Sequence, residues 1–177
     1  MQATCKAVAL LAGDLVLNHS AAVLAETHSA SAITQYQMAA ISNRAHGRAV
    51  LSGDYDKAIT QLLGQQQRFE SSTNLCVAYT LNGDLDKAGG ACKTALRISE
   101  QNARLLNPRR EVVVRRDLAI ALSNQGVLLA ISGDLGGARQ NFAKAVELHT
   151  DIQQATVNLT QAVATRAADS KPLESGD

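Results

Sequence analysis

Three short segments constrain this chain more than anything else in it. They read Ser52-Gly53-Asp54-Tyr55-Asp56-Lys57-Ala58, Asn82-Gly83-Asp84-Leu85-Asp86-Lys87-Ala88 and Ser132-Gly133-Asp134-Leu135-Gly136-Gly137-Ala138. Each follows one apolar-periodic stretch and precedes another. Glycine ends a helix because it tolerates a left-handed backbone. Aspartate next to it starts a new helix by accepting from the free amides of the first turn. Tyr55, Leu85 and Leu135 then supply an apolar contact, and Ala58, Ala88 and Ala138 let two helices approach closely. The pattern predicts an all-α chain of helix–turn–helix units. Composition agrees, because aromatic residues are only 3% and the two prolines, Pro108 and Pro172, leave long stretches free of breakers.

These turns and their surroundings resemble the tetratricopeptide repeat, a helix–turn–helix unit of about 34 residues. A third copy, starting near Ala119, puts Leu122, Gly126 and Leu129 on its first helix and Ala138, Phe142 and Ala145 on its second. A second copy, from near Phe69, offers Leu75, Cys76 and Tyr79, then Ala88, Cys92 and Ala95. The first, near Ala39, offers Ala45, His46, Ala49, Ala58 and Leu62, an atypical set of the kind terminal units carry. The resemblance covers about residues 39–152. It implies a right-handed superhelical stack of repeats, occupying residues 39–168, with a C-terminal capping helix at 153–167.

The spacing of the turns is irregular. Gly53 and Gly83 are 30 positions apart, and Gly83 and Gly133 are 50 apart. The excess predicts two lengthened helices meeting at Asn107-Pro108, one from Leu85 to Leu106 and one from Pro108 to Ile131, capped by Asn107. Their extension, around residues 97–118, would pair as an arm with Leu105 and Leu106 near Val112 and Val113. Residues 169–177 read as a flexible tail.

The N-terminus carries Lys6, then the run from Ala7 to Gly13, then Leu15-Val16-Leu17, with Val23-Leu24-Ala25 as a small-residue exit. This predicts a signal peptide over residues 1–25 and a periplasmic or secreted product. An uncleaved amphipathic helix on a cytoplasmic protein is the alternative. Residues 26–38 read as a frayed segment or the start of the first helix. No stretch has the length and apolarity of a membrane span. A net charge of +1 argues against a general nucleic-acid binder.

The sequence carries no catalytic or phosphate-binding motif, so a protein-binding role without cofactor or metal is expected. The Asp54/Asp56 and Asp84/Asp86 pairs lack the glycine and glutamate of a calcium loop and read as helix caps. Removal of the leader leaves Cys76 and Cys92, an even count that permits a disulfide in an exported protein. The family's packing makes the two neighbours; the other reading is a pair of small buried thiols.

By the same resemblance, the first helix of each unit lines a concave groove. Its candidate lining is Asn43, Gly47, Val50, Thr73, Asn74, Val77, Thr80, Ser123, Asn124, Val127 and Ile131. Amides and apolar side chains in that mixture suit a peptide or partner helix held through its backbone. Some relatives clamp the C-terminal peptides of cytosolic heat-shock chaperones with Lys, Arg and Asn. Asn74 fits one such position, whereas Asn43, Gly47 and Asn124 depart from the rest. A second candidate surface is the basic arm, Arg104, Arg109, Arg110, Arg115 and Arg116, on which Arg109 and Arg116 would share a helical face. Self-association through groove or arm is the remaining partner expectation.

Overall fold

The computed structural model describes residues 35–42, 46–105 and 108–169. The expected leader, most of the 26–38 segment, the tail beyond Asp169 and Asn43 lie outside the described residues. Among those residues stand seven α-helices and no strand: α1 Gly47–Leu51, α2 Tyr55–Leu62, α3 Phe69–Leu81, α4 Leu85–Arg104, α5 Glu111–Ile131, α6 Leu135–Leu148 and α7 Gln153–Asp169. A 3-10 turn at Pro108–Arg110 precedes α5. No helix among the described residues is long and apolar enough to cross a membrane.

The three Gly-Asp segments form three alike turns. Gly53, Gly83 and Gly133 have φ of 80°, 82° and 90°, the left-handed region that glycine enters without a Cβ penalty. The next amide reaches back five residues in each turn, Asp54 to Ala49 at 2.9 Å, Asp84 to Tyr79 at 3.0 Å and Asp134 to Leu129 at 2.9 Å. This is the bond pattern that closes a helix on a glycine. The carboxylates of Asp84 and Asp134 then accept from the amides of Lys87 and Gly137, at 3.2 and 2.8 Å. Asp54 departs from the expectation: its side chain makes no capping bond, and it faces Lys57 at 3.9 Å instead.

Helices pair across each turn, α1 with α2, α3 with α4 and α5 with α6, and α7 packs on α6. Successive first helices also touch, α1 with α3, α3 with α5 and α5 with α7. The chain is therefore a row of helix pairs with α1, α3, α5 and α7 along one side. Helices α2, α4 and α6 each bury a single stripe, such as Ala138, Phe142 and Ala145 on α6. Helix α3 differs, because every residue from Ser71 to Thr80 is buried. A helix buried all round needs cover on every face. Neighbouring helices cover part of α3; what covers the rest is the extended segment described below.

Close approach between paired helices rests on small residues. Ala58, Ala88 and Ala138 are fully buried. Gly126 lies under the Phe142 ring so tightly that a Cβ there would stand 2.6 Å from a ring carbon. Cys76 on α3 and Cys92 on α4 are joined by a disulfide, with Cα atoms 4.7 Å apart.

Two expectations need correction. The first unit does not begin as a helix at Ala39: residues 37–41 are extended, and its first helix is only the five residues of α1. The arm is packed at its base, where Leu96, Ile98 and Leu118 join one core cluster, and bare at its tip. Leu105 is 79% exposed and Val112 71%. Helix α4 ends at Arg104 and α5 starts at Glu111, so Leu105 and Val112 sit at helix ends, and the expected Leu106 contact and Asn107 cap lie outside the described residues.

Candidate functional site

In an extended chain, the N–H and C=O of one residue point the same way, and every second residue repeats the direction. A carboxamide offers one acceptor and two donors, so it can pair with both groups of such a residue at once. The structure does this three times. Asn158 on α7 accepts from the Gln37 amide at 2.8 Å and donates to the Gln37 carbonyl at 2.7 Å. Asn124 on α5 holds Ala39 in the same way, at 2.8 and 2.9 Å. Asn74 on α3 holds Ile41 at 2.8 and 3.2 Å. All three asparagines are buried. Residues 36–41 are thus a strap lying along the row of first helices and crossing them from α7 to α3, against the order of the chain.

The strap's side chains fill the space between the clamps. Tyr36 is buried and its ring stacks on Phe142 with centroids 5.7 Å apart. Val127, Ile131 and Ala162 complete that cluster. Ala39 is buried and belongs to the core cluster that contains Phe69, Ile120 and Ala121. Met38 and Ala40 pack half-buried on the cluster that contains Val50, Leu75 and Val77. Gly47 opens α1, and a Cβ there would collide with the Ile41 carbonyl, so the glycine makes room for the strap.

Sequence reasoning placed several of these residues on the groove, and the structure sorts them. Asn74 and Asn124 bind the strap backbone. Val50, Val77, Val127 and Ile131 belong to the apolar clusters that receive its side chains. The Thr80 hydroxyl turns back to the Cys76 carbonyl of its own helix at 2.7 Å. The hydroxyls of Thr73 and Ser123 are buried without a hydrogen-bond partner among the described residues. Asn158 was not among the expected groove residues. Its signal was in the sequence: Asn158 follows Asn124 by 34 positions, and Asn74 precedes Asn124 by 50, the same interval that separates Gly83 from Gly133.

The basic arm divides. Arg110 and Arg116, with Glu70, Val113 and Asp117, line a cavity of about 310 Å³ beside Ala40, Ile41 and Ser42, where the strap leaves the clamps. Arg109 and Arg110 both lie in the 3-10 turn before α5, and Arg110 lines this cavity with Arg116. Arg115 faces Glu111 at 3.7 Å and donates to the Leu148 carbonyl at 3.3 Å. Arg104 ends α4 in an exposed position. Burial pushes the Asp117 carboxyl up to about 6, with Glu70 adding to the rise and Arg116 and Arg110 opposing it. No group of three or more His, Cys, Asp or Glu among the described residues is placed to hold a metal ion. Compared with protein-family models, curated proteins and solved structures, the chain matches none.

Proposed function

We propose that this chain is a tetratricopeptide-type scaffold that binds an extended peptide from a partner protein in its groove, without enzymatic activity. The observation that carries this reading is the row of three asparagine clamps on α3, α5 and α7. Each recognises backbone, so the set suits any extended chain of the right length and leaves selectivity to the apolar sites between. The repeat assignment is supported by the three alike turns, the alternation of inner and outer helices and the recurrence of asparagine at one position of successive first helices.

Export to an oxidising compartment, such as a periplasm, is part of the proposal. The Cys76–Cys92 disulfide supports it, because such bonds persist where thiols are not kept reduced. A mature protein isolated with Glu26 as its first residue agrees with export, and one retaining Met1 contradicts it.

The binding role is tested by affinity capture from the native compartment. Wild-type protein is compared with a chain carrying Asn74→Ala, Asn124→Ala and Asn158→Ala. At least one partner is expected on the wild type and not on the folded variant. Identical recoveries from the two baits would remove the reading.

A further inference from the structure

We propose that residues 36–41 are a resident occupant of the groove which an external peptide displaces, and that this peptide carries the strap's own pattern. The pattern is an extended backbone with an aromatic residue and, three places later, a small one. The inference rests on the groove reading above and adds to it both a regulation and a ligand class.

Several features mark the strap as an occupant rather than a structural element. All six clamp bonds run between its backbone and asparagine side chains, so nothing in them requires this particular sequence. Among the described residues, no bond joins its backbone to another backbone. Only Tyr36 and Ala39 of its side chains are buried; Gln37 is exposed, and Met38, Ala40 and Ile41 are half-buried. The floor it would uncover carries the three clamp asparagines, Asn74, Asn124 and Asn158, set among the apolar clusters that receive its side chains. The net gain from each clamp bond is of the same order as the backbone ordering that each strap residue pays on docking. An intramolecular occupant so balanced opens easily and lowers the apparent affinity of any competitor by the fraction of time it is seated.

The two buried side chains define the competitor. Tyr36 needs a flat partner for Phe142, yet its buried hydroxyl has no partner among the described residues, so phenylalanine loses nothing there. Ala39 is buried in the core cluster that contains Phe69, Ile120 and Ala121, so a long side chain there would displace core packing.

The test uses the full chain and a fluorescein-labelled peptide spanning Gln35 to Ser42, read by anisotropy. Ala39→Arg in the protein unseats the strap. This variant is expected to bind the peptide at least about tenfold more tightly than wild type. Adding Asn124→Ala to it is expected to weaken binding by about tenfold. In the peptide, Tyr36→Phe should bind as well as the parent, while Tyr36→Ala and Ala39→Arg should each lose about tenfold. Equal binding by wild type and Ala39→Arg overturns the gate and leaves the groove reading standing. No binding by the folded variant overturns both. Loss of helix in Ala39→Arg makes the strap part of the fold and overturns the gate. Hydrogen exchange on wild type gives a second measure that needs no variant. The amides of Gln37, Ala39 and Ile41 should exchange well ahead of those in the middle of α3 and α5. Exchange of both sets at one common rate overturns the gate.

Discussion

Gly126→Ala isolates a tight contact between two paired helices, α5 and α6. A Cβ at this position meets Phe142 ring carbons at 2.6, 2.8 and 3.1 Å. Ordinary carbon contacts lie near 3.5–4.0 Å, so the ring must retreat by about 1 Å. It has little room to do so. Phe142 is fully buried, Ala138 and Ala145 beside it on α6 are fully buried, and the Tyr36 ring stacks on it. Overpacking of this kind costs about 1–3 kcal/mol. Against it, replacing glycine by alanine inside a helix gains about 1 kcal/mol. The balance is a loss of about 1 kcal/mol, which lowers the melting midpoint by roughly 2–6 °C in a domain of this size. Urea unfolding followed by helix signal measures it. Phe142→Leu returns space to the site, so its cost should be smaller in the Gly126→Ala background than alone, making the double variant less destabilised than the sum of the two single ones. A Gly126→Ala protein more stable than wild type by about 1 kcal/mol would show the ring free to move and refute the reasoning. The strap adds a second readout: a displaced Phe142 pushes on Tyr36, so the Gln37 and Ala39 amides should exchange faster in the variant than in wild type.

Three further outcomes follow from other parts of the structure. Asp117 holds its proton more tightly folded than unfolded, so stability is highest below about pH 4 as far as this group is concerned and falls as pH rises to about 6. Asp117→Asn should flatten that slope and raise stability at pH 7 by about 1 kcal/mol after allowance for solvent screening; an unchanged pH profile contradicts the assignment. The disulfide joins residues 16 apart, and replacing both cysteines by alanine should cost about 3 kcal/mol in urea unfolding, with an unchanged midpoint as the contrary result. Thr73→Val removes a buried hydroxyl that has no partner among the described residues and keeps the side-chain shape. It should be neutral or stabilising by up to about 1 kcal/mol, and a clear loss would reveal a bond to that hydroxyl.

The helical architecture was legible because its punctuation is local. Gly83 and Asp84 need only their own neighbours to end one helix and start the next, and the same holds at Gly133 and Asp134. The apolar slots around them followed from the helical period. Asn74 and Asn124 were legible as groove residues because the repeat resemblance assigned them a face. Asn158 is harder to see because the sequence marks α7 only as a terminal capping helix, though the residue keeps the 34-residue interval from Asn124. The strap was not legible for a different reason. Its backbone is satisfied by side chains 33, 85 and 121 positions away, and no pattern within Tyr36-Gln37-Met38-Ala39-Ala40-Ile41 announces partners that distant. At the arm tip Leu105 and Val112 look like a pair by composition, yet both stand largely exposed at the ends of their helices.

The reversed course of the strap has a consequence for how the molecule assembles. Its first clamp joins Gln37 to Asn158, so the segment made before all the described helices is held by the last of them. Contacts between residues so far apart form slowly, because the loop must close before any bond rewards it. During synthesis, α3 to α6 can pair and the clamps at Ala39 and Ile41 can close, while the clamp at Gln37 waits for α7. Refolding should therefore show helix forming first and burial of Tyr36 afterwards, in a separate and slower step. A chain stopped before Gln153 would keep the clamps at Ala39 and Ile41 and lose the one at Gln37, leaving its own first residues as the loose end.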